Sequence, residues 1–474
     1  MSRSEFLARA LASLQETVAV ELCDDLRSRR LREYAACAGR VLARLQTDVA
    51  SAPALAAQRL QRWRELTGTT PGAAPTAPLE ELHAHAAEVG RALQAAEAPN
   101  QGWFREAVAA TRDYLDAYER ALPTPAAAAT AGPGQPDTQR DRLSRYLAAR
   151  YPGLPAGAVT SLRIVPGGRG KETSLFELAP NDILPARLVL RRDLTLSVTG
   201  ASAYAEFPLL QAVAALGLPV PTPILAERDP AHLGGSFIVM TEICDARAGG
   251  ELFAELNDLT QLAPSFAPDL VRALAKLHTL RTHPSGTALG GHSSGSADPL
   301  EMVRGFQQMF RGIAHKPPLH VATELGFAWL IANPLPPARP QRLVHGDIGL
   351  HNVLVRDGAL AAILDWELAH LGDPAEDIAY AWSPLLRHLL PWEEFVAHYR
   401  THGGEPEACD RHAVAWYSVW AHTRNSVYTA MHYGWSASGQ RRDIECFNAA
   451  TDFFDRTQHY IALELDQALE ERQS

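Results

Sequence analysis

The segment from Arg342 to Tyr380, RLVHGDIGLHNVLVRDGALAAILDWELAHLGDPAEDIAY, holds the residues of this chain best suited to chemistry. Two short apolar runs, Val353 to Val355 and Ala361 to Leu364, flank Arg356-Asp357-Gly358, a hairpin pattern whose glycine permits positive φ. Asp347 and Asn352 precede the first run and Asp365 follows the second, so the hairpin brings all three side chains to one rim. Phosphoryl transfer from ATP requires such a set: one carboxylate takes the proton of the attacking hydroxyl, while another carboxylate and an amide oxygen hold Mg2+ against the phosphates. On this reading Asp347 is the base, and Asn352 and Asp365 are the metal ligands. An Asn oxygen ligates without adding negative charge beside the phosphates.

The order His345-Gly346-Asp347, then Asn352, then Leu364-Asp365-Trp366-Glu367 resembles the aminoglycoside-phosphotransferase-like, or choline-kinase-like, family of small-molecule kinases. The continuation Gly372-Asp373-Pro374 with Asp377 is similar to the branch that includes the kinase-like domain preceding some acyl-CoA dehydrogenases. The resemblance implies an α+β, two-lobed protein-kinase-like fold, with a small β-rich N-lobe at 138–245 and a helical C-lobe at 246–474. It also implies ATP and Mg2+ as cofactors and a small-molecule hydroxyl acceptor. His345 and Asp377 are each open to a bracing role. His-Gly-Asp in place of HRD, Asp-Trp-Glu in place of DFG and the lack of an APE segment argue against a protein kinase.

Upstream, Pro166 to Thr173 (PGGRGKET) resembles the family's glycine-rich turn, where backbone amides approach phosphates; this makes Gly167, Gly168, Gly170, Lys171 and Thr173 candidate nucleotide contacts. It is not a Walker A loop, because Glu172 follows the lysine. Arg191, in the strand-like run LVLRR, stands where many kinases carry a phosphate-pairing lysine, with Glu206 in the following helix as its expected ion-pair partner. Arg192 points to the other side of that strand and is expected to be a solvated charge. The run Phe237 to Ile243 resembles the last N-lobe strand and hinge, giving Met240 and Glu242 as candidate contacts to the adenine. Ile348 and Gly349 depart from the aromatic residue and Arg that the dehydrogenase-linked branch often has there, which puts transfer to the same substrate in doubt.

The elements that must position these residues follow from periodicity. Strands are expected at Leu162–Val165, Leu175–Leu178, Arg187–Leu190 and Ser236–Met240, with helices at Asp141–Arg150 and Ala203–Leu216. Ahead of them, helical stripes run through residues 4–66 and 82–122, an all-α N-terminal domain (1–122) that lies outside the family resemblance. The stretch 123–137, rich in Pro, Ala and Gly, reads as a linker. The N-terminal domain is open to dimerisation, partner docking or a lid role; His83 and His85 diverge on a helix and read as solvated. Trp416, Trp420, Val427 and Met431 form a helical packing face. Arg411, His412, His422, Arg424, His432, Arg441 and Arg442 make this region locally basic, which favours an anionic acceptor such as a hydroxyacyl-CoA, with Arg424 the candidate substrate contact.

The formal charge of −10 disfavours nucleic-acid and acidic-membrane partners, which need a basic face. The five cysteines, Cys23, Cys37, Cys244, Cys409 and Cys446, form no CxxC, so neither a disulfide framework nor a zinc site is expected and a reducing cytoplasm fits. No signal peptide or transmembrane run is visible. The reading is therefore an ATP- and Mg2+-dependent kinase of a small metabolite. The alternative is a kinase-shaped nucleotide-binding scaffold whose altered phosphate-pairing strand has lost turnover.

Overall fold

The computed structural model describes residues 55–58, 61, 101–121, 137–165, 170–250, 259–284, 298–317, 320–336, 339–382, 385–441 and 444–471. Most of the expected N-terminal helices, including His83 and His85, lie outside these residues, as do the linker up to residue 136, Gly167, Gly168 and Arg442. The chain divides into two compact units. One comprises Met1–Gly132, Asp298–Leu335 and Ser418–Ser474, the other Pro133–Ala297 and Pro336–Tyr417.

The elements in chain order are α1 (Gln101–Ala121), α2 (Asp137–Arg150), β1 (Val159–Val165), β2 (Lys171–Leu178), β3 (Arg187–Asp193), α3 (Ala203–Ala215), β4 (Pro223–Glu227), β5 (Phe237–Thr241), β6 (Arg247–Ala248) and α4 (Phe266–Leu277). Then follow α5 (Pro299–Gly312), α6 (Val321–Ala332), β7 (Arg342–Val344), β8 (Val353–Arg356), β9 (Ala359–Ile363), β10 (His370–Gly372), α7 (Ala375–Trp382), α8 (Trp392–Thr401), α9 (Arg411–Ser438), α10 (Ile444–Asn448) and α11 (Phe454–Glu471).

The second unit opens with an antiparallel sheet in the order β1-β2-β3-β5-β4. Alternation assigns its faces. Phe176, Leu178, Leu188, Leu190, Phe237 and Val239 pack with Leu143, Tyr146 and Leu147 of α2 into a buried core. In the β2–β3 register Lys171 opposes Asp193, Glu172 opposes Arg192 and Thr173 opposes Arg191. Opposed residues share a face, so Lys171, Thr173 and Arg191 lie together on the face away from that core. Glu172 and Arg192 pair on the other face at 3.0 Å. Arg192 also donates to the Leu233 carbonyl, so it is anchored rather than solvated.

The sheet also fixes α3. The carboxylate of Asp193, at the end of β3, accepts from the Ala203 amide at 2.8 Å and so satisfies one of the unpaired donors at the helix start. This places Glu206, in the first turn, buried beside the sheet, where α3 packs on β3, β4, β5 and the 3₁₀ turn Trp366–Leu368.

The expected hairpin is β8–β9. Its turn has positive φ at both Asp357 (50°) and Gly358 (77°), the conformation an Asp-Gly pair supplies. A side chain at Gly358 would meet the Ala263 amide at 2.6 Å, and the Gly358 carbonyl accepts from that amide at 2.9 Å. The second strand starts two residues before its expected position, at Ala359. Four short strands, β4, β6, β7 and β10, escaped the sequence reading; of these, β10 pairs antiparallel with β7, Leu371 opposite Leu343, and so returns the chain after Asp365 to the strand that leads into Asp347.

In the first unit, α1 buries Phe104, Ala107, Val108 and Leu115 and packs on α6 and α11. Phe306 of α5 meets Trp420 and Tyr428 of α9 edge-on at 5.1 and 5.7 Å. Trp416, Trp420 and Val427 are fully buried as expected of a packing face, and Met431 is partly buried. Among the described residues no helix is long and apolar enough to cross a membrane.

Candidate active site

The loop between β7 and β8 is set by a buried carboxylate. Asp377, in the first turn of α7, accepts the backbone amides of His345 (2.7 Å) and Gly346 (2.8 Å) and bonds His278 Nε2 at 3.0 Å. His278 Nδ1 in turn meets the Tyr399 hydroxyl at 2.7 Å. Burial pushes the Asp377 carboxyl up, but the bond from His278, the charges of His278 and His345 and the His345 amide outweigh it and hold the group below its ordinary 3.8. His345 is a brace as well: its Nε2 donates to the Leu364 carbonyl at 2.8 Å, its Nδ1 accepts the Asp347 amide at 3.2 Å, and its ring packs on Trp366.

Replacing Asp377 by Asn is therefore expected to cost about 1–3 kcal/mol at neutral pH, since an amide cannot accept all three donors. A carboxyl held below its unfolded value stabilises above that value, and the effect is lost as pH falls through the folded pKa. Denaturation of wild type and variant at pH 7 and at about pH 3 should thus show the gap in the first condition and its narrowing in the second.

The loop delivers Asp347 and Asn352 together. Asn352 Nδ2 donates to the Asp347 carbonyl (2.9 Å) and to Asp347 Oδ2 (2.8 Å). His351 Nε2 lies 3.3 Å from the same Oδ2, so this histidine is a partner of Asp347 rather than a solvated loop residue. Gly349 makes room for it, because a side chain there would stand 2.6 Å from the His351 ring. Ile348 is buried.

Asp365 follows β9 with φ 62° and ψ 67°, a left-handed conformation that costs a non-glycine residue on the order of 1–3 kcal/mol. The Leu364 amide bonds the Asn352 carbonyl at 2.8 Å, and Val353 pairs with Ile363, so the hairpin base brings Asp365 next to Asn352. Asp365 is held below the ordinary carboxylate range: burial pushes it up, Arg191 and Lys171 pull it down further, and Asp347 opposes them. The three residues expected to converge on one rim do so.

The cations beside them are arranged differently from expectation. Lys171 is not a turn residue. It is the first residue of β2, its side chain is 1% exposed, and its Nζ lies 2.6 Å from Glu206 Oε1 and also pairs with Glu367. Arg191 makes the expected ion pair with Glu206 at 3.9 Å but bonds Asp365 Oδ1 more closely, at 2.9 Å. The correction has a geometric cause. Strand β2 starts four residues earlier than the apolar pattern suggests, which turns the Lys171 stem onto the face that α3 covers. Glu367, absent from the sequence-based site, is pushed up by burial and by Asp365 and Glu206 against the pull of Lys171.

Of the remaining candidates, Gly170 is buried where a side chain would meet Ser197 Oγ at 2.7 Å. Thr173 lies opposite Arg191. Met240 is buried in β5, and the Glu242 amide is already bonded to the Arg187 carbonyl at 3.2 Å, with its carboxylate 2.7 Å from the Arg187 guanidinium. Arg424 is a buried residue of α9 and belongs to the first unit.

The donor set fits Mg2+. Asn352 spends its amide nitrogen on Asp347, which leaves its carbonyl oxygen for a hard cation, and Asp365 adds a carboxylate. Among the described residues no three His, Cys, Asp or Glu side chains form a ligand group of their own. One amide oxygen beside one carboxylate suits Mg2+, which takes few protein ligands and completes its shell with phosphate and water. Asp347, Asp365, Glu206 and Glu367 bring four carboxyl groups against the two cations Lys171 and Arg191, so the site favours a further cation.

The sequence pattern of the phosphotransferase enzyme family matches residues 161–417, more than half of the chain, and the chain belongs to that family. Acyl-CoA dehydrogenase family member 11 of Homo sapiens is 29% identical over 258 residues, covering 50% of this chain and 30% of that protein. The Gallus gallus protein of the same name is 28% identical over 247 residues, with the same coverage of each. Both matches thus span under a third of the relative's length. A solved structure from Ralstonia eutropha JMP134, assigned to the aminoglycoside phosphotransferases, superposes with a TM-score of 0.51 at 18% identity, over 69% of this chain and 98% of that one. The fold is thus the kinase-like α+β fold of these phosphotransferases.

Proposed function

We propose that the chain phosphorylates a hydroxyl of a small metabolite from ATP in a Mg2+-dependent reaction. The observation that carries this reading is the rim where Asn352 fixes Oδ2 of Asp347 and the β8–β9 hairpin sets Asp365 beside it. Asp347 accepts the hydroxyl proton as the acceptor oxygen bonds phosphorus. The bond from that phosphorus to the departing ADP oxygen breaks. Asn352 orients the base through Nδ2, and its Oδ1, with the Asp365 carboxylate, would hold the metal. Mg2+, when bound, supplies neutralisation of the phosphate charge.

An anionic acceptor, of which hydroxyacyl-CoA thioesters are an example, is supported by the cationic and histidine residues of α9 and by the acyl-CoA dehydrogenase names of the relatives. Arg424 is the proposed contact to its negative group. The N-terminal helical region is proposed to serve dimerisation or partner docking. Arg191 on Asp365 favours a second reading, a binding protein without turnover, because the pair occupies a metal-binding carboxylate.

The test is ADP release from Mg-ATP over hydroxyacyl-CoAs, hydroxy acids, choline-like alcohols, sugars and aminoglycosides, with nucleotide-induced thermal stabilisation in parallel. Turnover with one class, and stabilisation lost in Asp365→Asn, is the expected result. Stabilisation with no ADP release for any acceptor moves the weight to the binding protein. No stabilisation by any nucleotide overturns both readings.

A further inference from the structure

Two cations and three carboxylates meet between the sheet and the catalytic hairpin, and the roles of the two cations are separable. Lys171 and Arg191 are diagonal neighbours on one face of the β2–β3 ladder. Arg191 bonds Asp365 Oδ1 through one terminal nitrogen at 2.9 Å, and its other terminal nitrogen makes a longer ion pair with Glu206 at 3.9 Å. Lys171 is held by Glu206 at 2.6 Å and by Glu367, both from elements that flank the site. An ammonium has three donors, and its hydrogen bond to Glu367 and ion pair with Glu206 engage at most two of them. The third remains for a further oxygen.

Burial sharpens the distinction. The Lys171 and Glu206 side chains are each 1% exposed. Removing two such charges from water costs several kcal/mol per ion, and apolar residues of like size are often as stable or more so, so a pair this deeply buried is poorly explained by stability alone. A helix glutamate that aims a strand lysine at the carboxylate rim is a device for presenting positive charge there. The Lys171 ammonium thus stands at the start of β2, on the face that carries Arg191 and meets Asp365.

Resting on the proposed nucleotide-dependent function, we propose that Lys171, supplied by β2, is the cation that binds the nucleotide phosphates, and that Arg191 on β3 has the separate task of holding Asp365. The chain has thereby moved the phosphate-binding lysine from one strand to its neighbour while keeping the glutamate that aims it. The arginine at the vacated position is too well matched to a carboxylate to be a free phosphate ligand.

The test is titration of the full chain with a fluorescent N-methylanthraniloyl ADP, with and without Mg2+, for wild type, Lys171→Met, the charge-balanced double variant Lys171→Met/Glu206→Met and Arg191→Lys. Loss of one charge-assisted phosphate contact predicts about a tenfold or greater weakening in both Lys171 variants. The double variant leaves Glu206 no unpaired charge, so a folded double variant separates lost binding from lost folding, with circular dichroism as the check. Arg191→Lys is expected to weaken the Mg2+-dependent part of nucleotide binding more than the Mg2+-free part, because it disturbs the hold on Asp365 and leaves Lys171 untouched. Wild-type affinity in a folded Lys171 variant, or a loss confined to Arg191→Lys, overturns the assignment and leaves the kinase reading standing. No nucleotide binding by the wild type removes both.

Discussion

Asp347→Asn is expected to lower turnover by about 10²–10⁴-fold, the usual worth of a positioned general base, while Mg-nucleotide binding stays within about threefold of wild type. The substitution is nearly isosteric, and the surroundings of Asp347 accept it. Asn352 Nδ2 and His351 Nε2 both reach Oδ2, so an Asn side chain satisfies them by presenting its oxygen on that side. Its NH2 then occupies the place of Oδ1. The face that should receive the proton becomes a donor, and the acceptor hydroxyl loses both its orienting bond and its proton sink. Asp365, whose carboxyl Asp347 destabilises electrostatically, gains from the lost charge, so metal and nucleotide affinity should not fall. Single-turnover chemistry and equilibrium nucleotide binding measured on the same preparation separate the two effects. Turnover within a factor of about three of wild type would falsify the base assignment and transfer the role to another group.

The rim was legible because its geometry is local. A hairpin between Asn352 and Asp365 needs only two apolar runs and Asp357-Gly358, and both central turn residues take the positive φ that such a pair allows. The two roles open at His345 and Asp377 resolve as braces, which sequence cannot decide, because their partners, Leu364 and His278, come from distant segments. Lys171 illustrates a harder failure. Its strand begins with polar residues, Lys171-Glu172-Thr173, so the apolar pattern marks the strand only from Leu175, and the lysine is read as part of the turn. Period-two counting backward from Leu175 through Thr173 to Lys171 would have put it on one face with Arg191. Strand β10 was unreadable for another reason: His370-Leu371-Gly372 has neither length nor β-branched residues, and only its pairing with β7 makes it a strand.

Arg191 stands where many kinases carry a phosphate-pairing lysine. An arginine at this position does not replace the lysine; it makes a different bond, to Asp365, while Lys171 keeps the glutamate of α3. The two strands therefore divide between them what one lysine does elsewhere, and a chain altered in this way retains a positive charge at the rim. The loss of a lysine from β3 therefore does not by itself argue for lost turnover; the bond from Arg191 to Asp365 is what favours the binding-protein reading.

His422→Phe is expected to make the fold markedly less sensitive to acid. His422 lies buried in α9, its ring stacked on Tyr460 at 5.0 Å, and among the described residues its Nδ1 has no hydrogen-bond partner. Burial, then the charge of Arg424, then His459, push its imidazole down to about 3. His459 itself turns Nδ1 to Asp116 at 3.2 Å. The sign follows. A folded pKa below the unfolded 6.5 means the unfolded chain takes up the proton first, so this stabilisation is complete above about pH 6.5 and drains as pH falls toward 3. At pH 4.5 the two-unit gap corresponds to about 2–3 kcal/mol. Phenylalanine keeps the stack on Tyr460 and does not titrate, so denaturant unfolding at pH 7.5 and 4.5 should show a smaller loss in the variant by that amount. Equal losses in both proteins would mean that His422 protonates in the folded state. Arg424 ties this to the acceptor: an anion bound against its guanidinium would offset the charge that holds His422 neutral. A hydroxyacyl-CoA that contacts Arg424 should therefore raise the His422 pKa, visible by NMR titration of its ring, and a neutral sugar should leave it unmoved.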